Sequence, residues 1–304
     1  MIDILIIGAG AAGLTSAIYA LRAGLKVVVL DKFIYGGQMA ISDKIENYPG
    51  FKEITGYELA VKLYEQAIEL GAEVIFDEVN KVDFSSKIKV VYCDQKTYEA
   101  RTVIIATGAK RRKLSCPGEE DFIGKGVSYC ATCDGAFFKD KNVIVVGGGN
   151  TALEDALYLS SICKKVYLVH RRNAFKAERV LVDSAMKREN IEIIYDSTVT
   201  KIEGSSKVNS ADVKNLISGN IEKFPIDAVF VSIGNQPDTS FVKDIIKTDD
   251  RGYIEAAEDC ICSIKGVFVA GDCRRKPLYQ IVTATADGAV AAFQAINYIQ
   301  NLED

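Results

Sequence analysis

Short apolar runs that stop at glycine dominate the chain. After Asp3, Ile4-Leu5-Ile6-Ile7 is apolar on successive positions, the pattern of a strand buried on both faces, and it ends at Gly8-Ala9-Gly10-Ala11-Ala12-Gly13. The period then changes: Leu14, Ala17, Ile18 and Leu21 recur at helical spacing, and Gly24 supplies a stop. A second strand is expected over Lys26–Leu30, ending in Asp31. The same succession returns at Val143–Val146, then Gly147-Gly148-Gly149-Asn150-Thr151-Ala152, then a helical face of Leu153, Ala156 and Leu157, then a strand over Lys165–Val169. Two further buried strands deliver loops, one closing on Ala106-Thr107-Gly108 and one on Gly271-Asp272. A last helical pattern runs from Ile281 to about Tyr298, and its start would aim unpaired N–H groups at whatever lies below, a flavin ring being one candidate.

These patterns predict an α/β fold of two Rossmann-like dinucleotide-binding domains, one inserted in the other. The outer domain is expected over 1–112 and 242–304, the inserted one over 113–241, with Pro117 and Pro237 stiffening the crossings. The turn-rich stretch 203–220 reads as a surface hairpin.

Each glycine of the first turn has mechanical work: Gly8 for the tight bend, Gly10 for close approach of backbone to a pyrophosphate, Gly13 for helix packing. Phosphates would rest on the positive end of the helix that follows. Asp31 stands near the ~20-residue offset at which an acid accepts a hydrogen bond from an adenosine ribose. At the corresponding place in the second copy stands His170-Arg171-Arg172. Guanidinium forks bind a 2′-phosphate where a carboxylate would repel it, so the second site favours NADPH over NADH.

Composition narrows the class. A net charge of -4, with acids and bases mixed along the 304 residues, leaves no basic stripe for nucleic acid. No apolar run approaches the roughly 18 residues of a membrane span, and the N-terminus has no secretory pattern, so a cytoplasmic protein is expected. Eight cysteines are thinly spread for a secreted disulfide framework. Cys93, Cys116, Cys163 and Cys273 read as small core residues, and Cys260 and Cys262 are left unassigned.

Cys130 and Cys133, followed at once by Asp134, are different. The spacing suits a metal, a structural disulfide or electron transfer. There is no second CxxC, and the only histidine, His170, belongs to the arginine cluster, so no metal is expected. A bridge across so short a loop adds little stability, which leaves redox work, with Asp134 as a proton carrier.

The chain resembles low-molecular-weight thioredoxin reductases, a class of FAD-dependent pyridine nucleotide-disulfide oxidoreductases, over essentially its whole length. The resemblance rests on "GAGAAG", "GGQ" at 36–38, "ENYPG" at 46–50, "ATG" at 106–108, "GVSYCATCDG" at 126–135, "GGGNTA" at 147–152, "HRR" at 170–172, "IGNQP" at 233–237 and "AGD" at 270–272. It implies FAD in the outer domain, held by Gly8, Gly10, Ala11, Gly13, Asp31, Gly36, Gly37, Gln38, Asn47, Gly108, Gly271, Asp272, Gln280 and Ile281. It implies NADPH in the inserted domain, at Gly147, Gly149, Asn150, Thr151, His170, Arg171, Arg172 and Lys176. Electrons would pass to a Cys130–Cys133 disulfide and on to thioredoxin, with Cys133 facing the flavin, Cys130 attacking the partner and Asp134 handling the proton. It further implies a homodimer, and an inserted domain that turns between two poses, because nicotinamide and disulfide need the same flavin.

Two positions depart from that pattern. Lys176 replaces a customary arginine, a point charge for a planar fork, which predicts NADPH use with weakened discrimination. Tyr279 replaces the arginine that usually precedes Gln280. Two other readings stand beside the first: a ferredoxin-dependent flavin thioredoxin reductase that uses no pyridine nucleotide, and a flavin-containing redox sensor.

Overall fold

The computed structural model describes residues 1–42 and 44–303. Asp43 and Asp304, the last residue of the expected 242–304 segment, lie outside the described residues. Two compact units emerge, one formed by Met1–Lys110 with the chain from Gln236 onward, the other by Arg111–Asn235. The crossings thus fall a few residues before the expected boundaries, and Pro237 lies inside a short strand.

In the first unit, β1 (Ile2–Ile7), α1 (Ala11–Arg22) and β2 (Val27–Asp31) follow the predicted strand, turn and helix. Next come α2 (Gly56–Glu69), β3 (Glu73–Phe76), β4 (Val79–Asp83), β5 (Lys89–Cys93) and β6 (Thr97–Ile105). Thr55 and Glu58 close a reciprocal capping box at the start of α2, satisfying two otherwise orphaned N–H groups. A short strand β7 (Ala109–Arg111) ends this first passage.

The second unit holds β8 (Val127–Ser128), the single turn α3 (Ala131–Asp134), β9 (Asn142–Val146), α4 (Asn150–Ser160), β10 (Lys165–Val169), α5 (Arg179–Met186) and β11 (Ile191–Ile194). It is completed by β12 (Ser197–Gly204), β13 (Val208–Asn215), β14 (Ile221–Pro225) and β15 (Ala228–Val231). Its parallel sheet has the order β11-β10-β9-β15-β8, beside an antiparallel sheet β12-β13-β14. The stretch expected as a surface hairpin is therefore more than that. Val208, Ala211 and Val213 of its central strand are buried in the core with Val199, Ile202 and Phe224, an alternation masked by the turn residues around it.

After β16 (Asn235–Pro237) the chain returns to the first unit through β17 (Val267–Val269) and the long helix α6 (Ile281–Glu303), which extends beyond the expected Tyr298. That unit's sheet has the order β3-β2-β1-β6-β5-β4, and β17 pairs with the upper half of β6. β1 is flanked by β2 on one side and β6 on the other, so the chain leaves it toward opposite edges of the sheet and a crevice opens at its carboxyl end. The equivalent point in the second unit lies between β10 and β15, at the end of β9.

Candidate active site

The first glycine turn sits on the carboxyl end of β1. Gly8 holds φ at +111°, and a Cβ there would lie 2.3 Å from the Ala106 carbonyl oxygen. At Gly13 a Cβ would lie 1.8 Å from the Gly8 carbonyl oxygen, so the helix can approach the strand this closely only without a side chain. Around Gly10, by contrast, the space is open. The start of α1 has no side-chain cap and no acid in its first turn, leaving its N–H groups and positive end for an anion. Asp31 accepts from the Ala9 N–H at 2.8 Å and retains acceptor capacity for a ribose.

Other expected FAD residues converge from distant sequence. Gly36 N–H donates to the Ala9 carbonyl at 2.7 Å, which brings the 36–38 turn onto the first. Asn47 Nδ2 donates to Gln280 Oε1 at 3.0 Å, joining residues 233 positions apart at the mouth of α6. Gly108 lies in the loop after β6 with φ +68°, and Ile281 opens α6. Gly271 N–H donates to Asp287 Oδ2 at 3.0 Å, and Asp272 is bridged by the buried Lys276 ammonium at 3.2 Å. A cleft of about 380 Å³ lined by Gly8, Asp31, Lys32, Asn80, Thr107 and Phe241 leads away from the turn. The anion-ready start of α1, together with the acid Asp31 and the apolar Ile7, Leu30 and Phe241 of this cleft, fits a flavin dinucleotide.

Two features of this region escape sequence reading. Asp287, in α6, receives Arg274 through a two-pronged pair at 2.7 and 2.9 Å and Lys276 at 3.1 Å, all buried. No motif marks an aspartate inside a helical pattern as the anchor of a loop. Tyr279, whose role the sequence leaves open, packs on Tyr253 with ring centroids 5.4 Å apart and lies 5.9 Å from the Lys276 ammonium.

The second glycine turn is tied down by the segment that follows β10. Lys176 N–H donates to the Gly148 carbonyl at 2.8 Å, and Asn150 and Glu178 exchange hydrogen bonds at 2.8 and 2.9 Å. Arg171, Arg172 and Lys176 are exposed, as is Thr151 in the first turn of α4. His170 is separated from them. Its ring is buried against Gly148, stacks on Phe175 at 5.1 Å and shares a hydrogen bond with the Ala174 carbonyl at 3.0 Å. Burial lowers its pKa, and a neutral ring serves as a prop for the turn rather than as a charge beside the arginines. Like α1, α4 starts without a side-chain cap or an acid in its first turn, and the two exposed guanidinium groups fit a phosphorylated dinucleotide. Behind the turn, Ser232 Oγ donates to Asp155 Oδ2 at 2.5 Å.

Cys130 and Cys133 form a disulfide with Cα atoms 5.3 Å apart. Ser128, at the end of β8, donates to Asp134 Oδ2 at 2.6 Å and receives the Cys130 N–H at 3.1 Å. Tyr129 donates to Glu119 at 2.8 Å and lies under the Arg111 guanidinium, 5.3 Å from its ring centre. The other six cysteines are free thiols. Burial pushes Cys93 and Cys260 up to about 12, and Cys116, Cys163 and Cys273 up to about 11, so these sulfurs stay protonated and unreactive. No cluster of three or more His, Cys, Asp or Glu side chains able to hold a metal occurs among the described residues.

Two dinucleotide turns and one redox disulfide thus share a single chain. Residues 2–288 match the family model described as pyridine nucleotide-disulphide oxidoreductase. A thioredoxin reductase of Listeria monocytogenes is 44% identical over 303 residues, covering 99% of this chain and 95% of that one. The chain belongs to the thioredoxin reductase family. A thioredoxin reductase of Bacillus subtilis is 42% identical over 303 residues, covering 99% of this chain and 96% of its own. The crystal structure of the thioredoxin reductase from Streptococcus pyogenes superposes with a TM-score of 0.94 at 44% identity, covering 99% of both chains. Thioredoxin reductases of the pyridine nucleotide type use FAD and NADPH, and the two turns described above fit these groups.

Proposed function

We propose that this chain is an NADPH-dependent thioredoxin reductase in which the first unit holds FAD and the second holds NADPH and the redox disulfide. The observation that carries the reading is the Cys130–Cys133 disulfide, with Asp134 beside it, in the same unit as a second glycine turn flanked by Arg171 and Arg172. When bound, FAD supplies a relay that takes a hydride from NADPH and yields an electron pair to a disulfide. The chain's own residues do the rest.

The open N-terminus of α1 and Gly10 receive the pyrophosphate of FAD, while Asp31 orients its ribose. Asn47, Gln280 and Asp272 fix its other end. Arg171, Arg172 and Lys176 hold the 2′-phosphate of NADPH, and the Gly147–Gly149 turn takes its pyrophosphate. Once reduced, the pair works by thiol exchange: the Cys130 thiolate attacks the thioredoxin disulfide, forming a mixed disulfide and expelling one thioredoxin sulfur, which takes a proton from Asp134. Cys133 then yields its proton to the Asp134 carboxylate and attacks Cys130. The internal bond re-forms, and the second thioredoxin sulfur leaves with that proton. Thioredoxin gains two electrons and two protons.

The reading extends to a cytoplasmic homodimer. Six free thiols support a reducing compartment, and the dimer follows the family resemblance. Supplying NADPH, NADH and reduced ferredoxin in parallel, with thioredoxin as acceptor, tests the proposal. Rapid turnover with NADPH is expected. Turnover with ferredoxin alone would replace it with the ferredoxin-dependent reading, and binding of flavin without turnover would favour a sensor.

A further inference from the structure

We propose that Ser128 is a positioning residue for the disulfide exchange: it fastens the Asp134 carboxylate and the Cys130 backbone to one point of the sheet. The inference rests on the thiol-exchange reading above and adds a residue to it.

Ser128 is 5% exposed and occupies the last position of β8, where it pairs with Phe230 of the fully buried β15. Its place is therefore set by the core of the second unit. Asp134 closes a helix of four residues and is joined to that sheet by the Ser128 hydroxyl. A hydroxyl has one proton to give and two lone pairs to receive with. At 2.6 Å the proton goes to Asp134 Oδ2, and one lone pair accepts the Cys130 N–H at 3.1 Å. The 3.3 Å contact to the Cys130 carbonyl cannot claim the same proton at the same time. One oxygen atom thereby ties together the acid that supplies the leaving thiolate's proton and the backbone of the cysteine that attacks.

The test uses full-length, FAD-loaded protein, chemically reduced at the cysteine pair and then mixed with oxidised thioredoxin in a single turnover. Ser128→Ala, Ser128→Thr, Asp134→Asn and the double variant Ser128→Ala/Asp134→Asn are compared. A hydrogen bond to a charged group sets the scale, so Ser128→Ala slows exchange by roughly ten- to a hundredfold. Ser128→Thr, which keeps the hydroxyl, restores most of the rate. The double variant is no slower than Asp134→Asn, because the serine acts through the acid. Effects of Ser128→Ala and Asp134→Asn that multiply, or a Ser128→Ala rate equal to the parent's, overturn the proposal. Should Ser128→Ala not fold, Ser128→Cys, with its weak donor, takes its place in the cycle under the same criteria. Because the protein is reduced beforehand, a parent that exchanges with thioredoxin but fails with NADPH refutes the donor assignment alone; a parent that fails to exchange refutes both.

Discussion

The imidazole of His170 lies directly against Gly148: a Cβ at that glycine would sit 2.1 Å from the ring. A strand-end residue and a nucleotide-turn residue are thus in contact that no larger side chain permits. Gly148→Ala must push the ring off Phe175 or lift the turn, and overpacking of this kind costs enough to weaken binding about tenfold. The expected outcome is a KM for NADPH raised by that factor with FAD content unchanged, checked by NADPH titration of the loaded protein.

Lys176 presents a point charge where a planar fork would bind phosphate through two parallel hydrogen bonds. Lys176→Arg is expected to raise the NADPH over NADH preference by about three- to tenfold, and Arg171→Ala or Arg172→Ala to lower it by about tenfold. The ratio of kcat/KM values for the two nucleotides is the measurement. An unchanged ratio across all three variants would place the 2′-phosphate elsewhere.

The free thiols other than the redox pair are held protonated by burial, five of them with pKa values near 11 or 12. Reduced protein at pH 8 should therefore alkylate rapidly at Cys130 and Cys133 and slowly elsewhere, as mass spectrometry of digests would show. Cys130→Ser and Cys133→Ser should each abolish thioredoxin turnover, because one sulfur cannot both form and resolve a mixed disulfide.

Asp155 carries a pH signature. Burial raises its carboxyl from the usual 3.8 to about 6, against the opposing hydrogen bond from Ser232. The folded protein thus holds this proton more tightly than the unfolded chain, so stability from this group is present below pH 4 and is lost as pH rises through 6. The shift corresponds to about 3 kcal/mol. Asp155→Asn, which cannot ionise, should gain on the parent by up to that amount between pH 4 and pH 8 in urea unfolding. A difference that stays constant across this range would show that the carboxyl titrates normally.

Much of the site was legible in the chain because its chemistry is local. The turn at Gly8–Gly13 follows from two short-range demands, a positive φ and a close approach, that only glycine meets, and both turns appear where strand pattern gives way to helix pattern. The same cannot be said of His170. Its neighbours in sequence are two arginines, and nothing in the spacing distinguishes an imidazole pointing outward with them from one turned inward under Gly148. The 203–220 stretch misleads for a related reason: its turn residues are real, but whether the strand between them is covered depends on what packs against it.

By itself the sequence determined the two dinucleotide turns, their order, the nested arrangement and the cysteine pair with its acid, because each is a matter of backbone geometry or spacing over a few residues. Only the tertiary structure decided which distant groups meet: Asn47 with Gln280, Asp287 with Gly271 and Arg274, Asp155 with Ser232, and Asp134 with the Ser128 end of the sheet. Buried polar side chains must find partners, and which partner is within reach is settled by how helices and sheets pack, a long-range outcome that periodicity along the chain does not record.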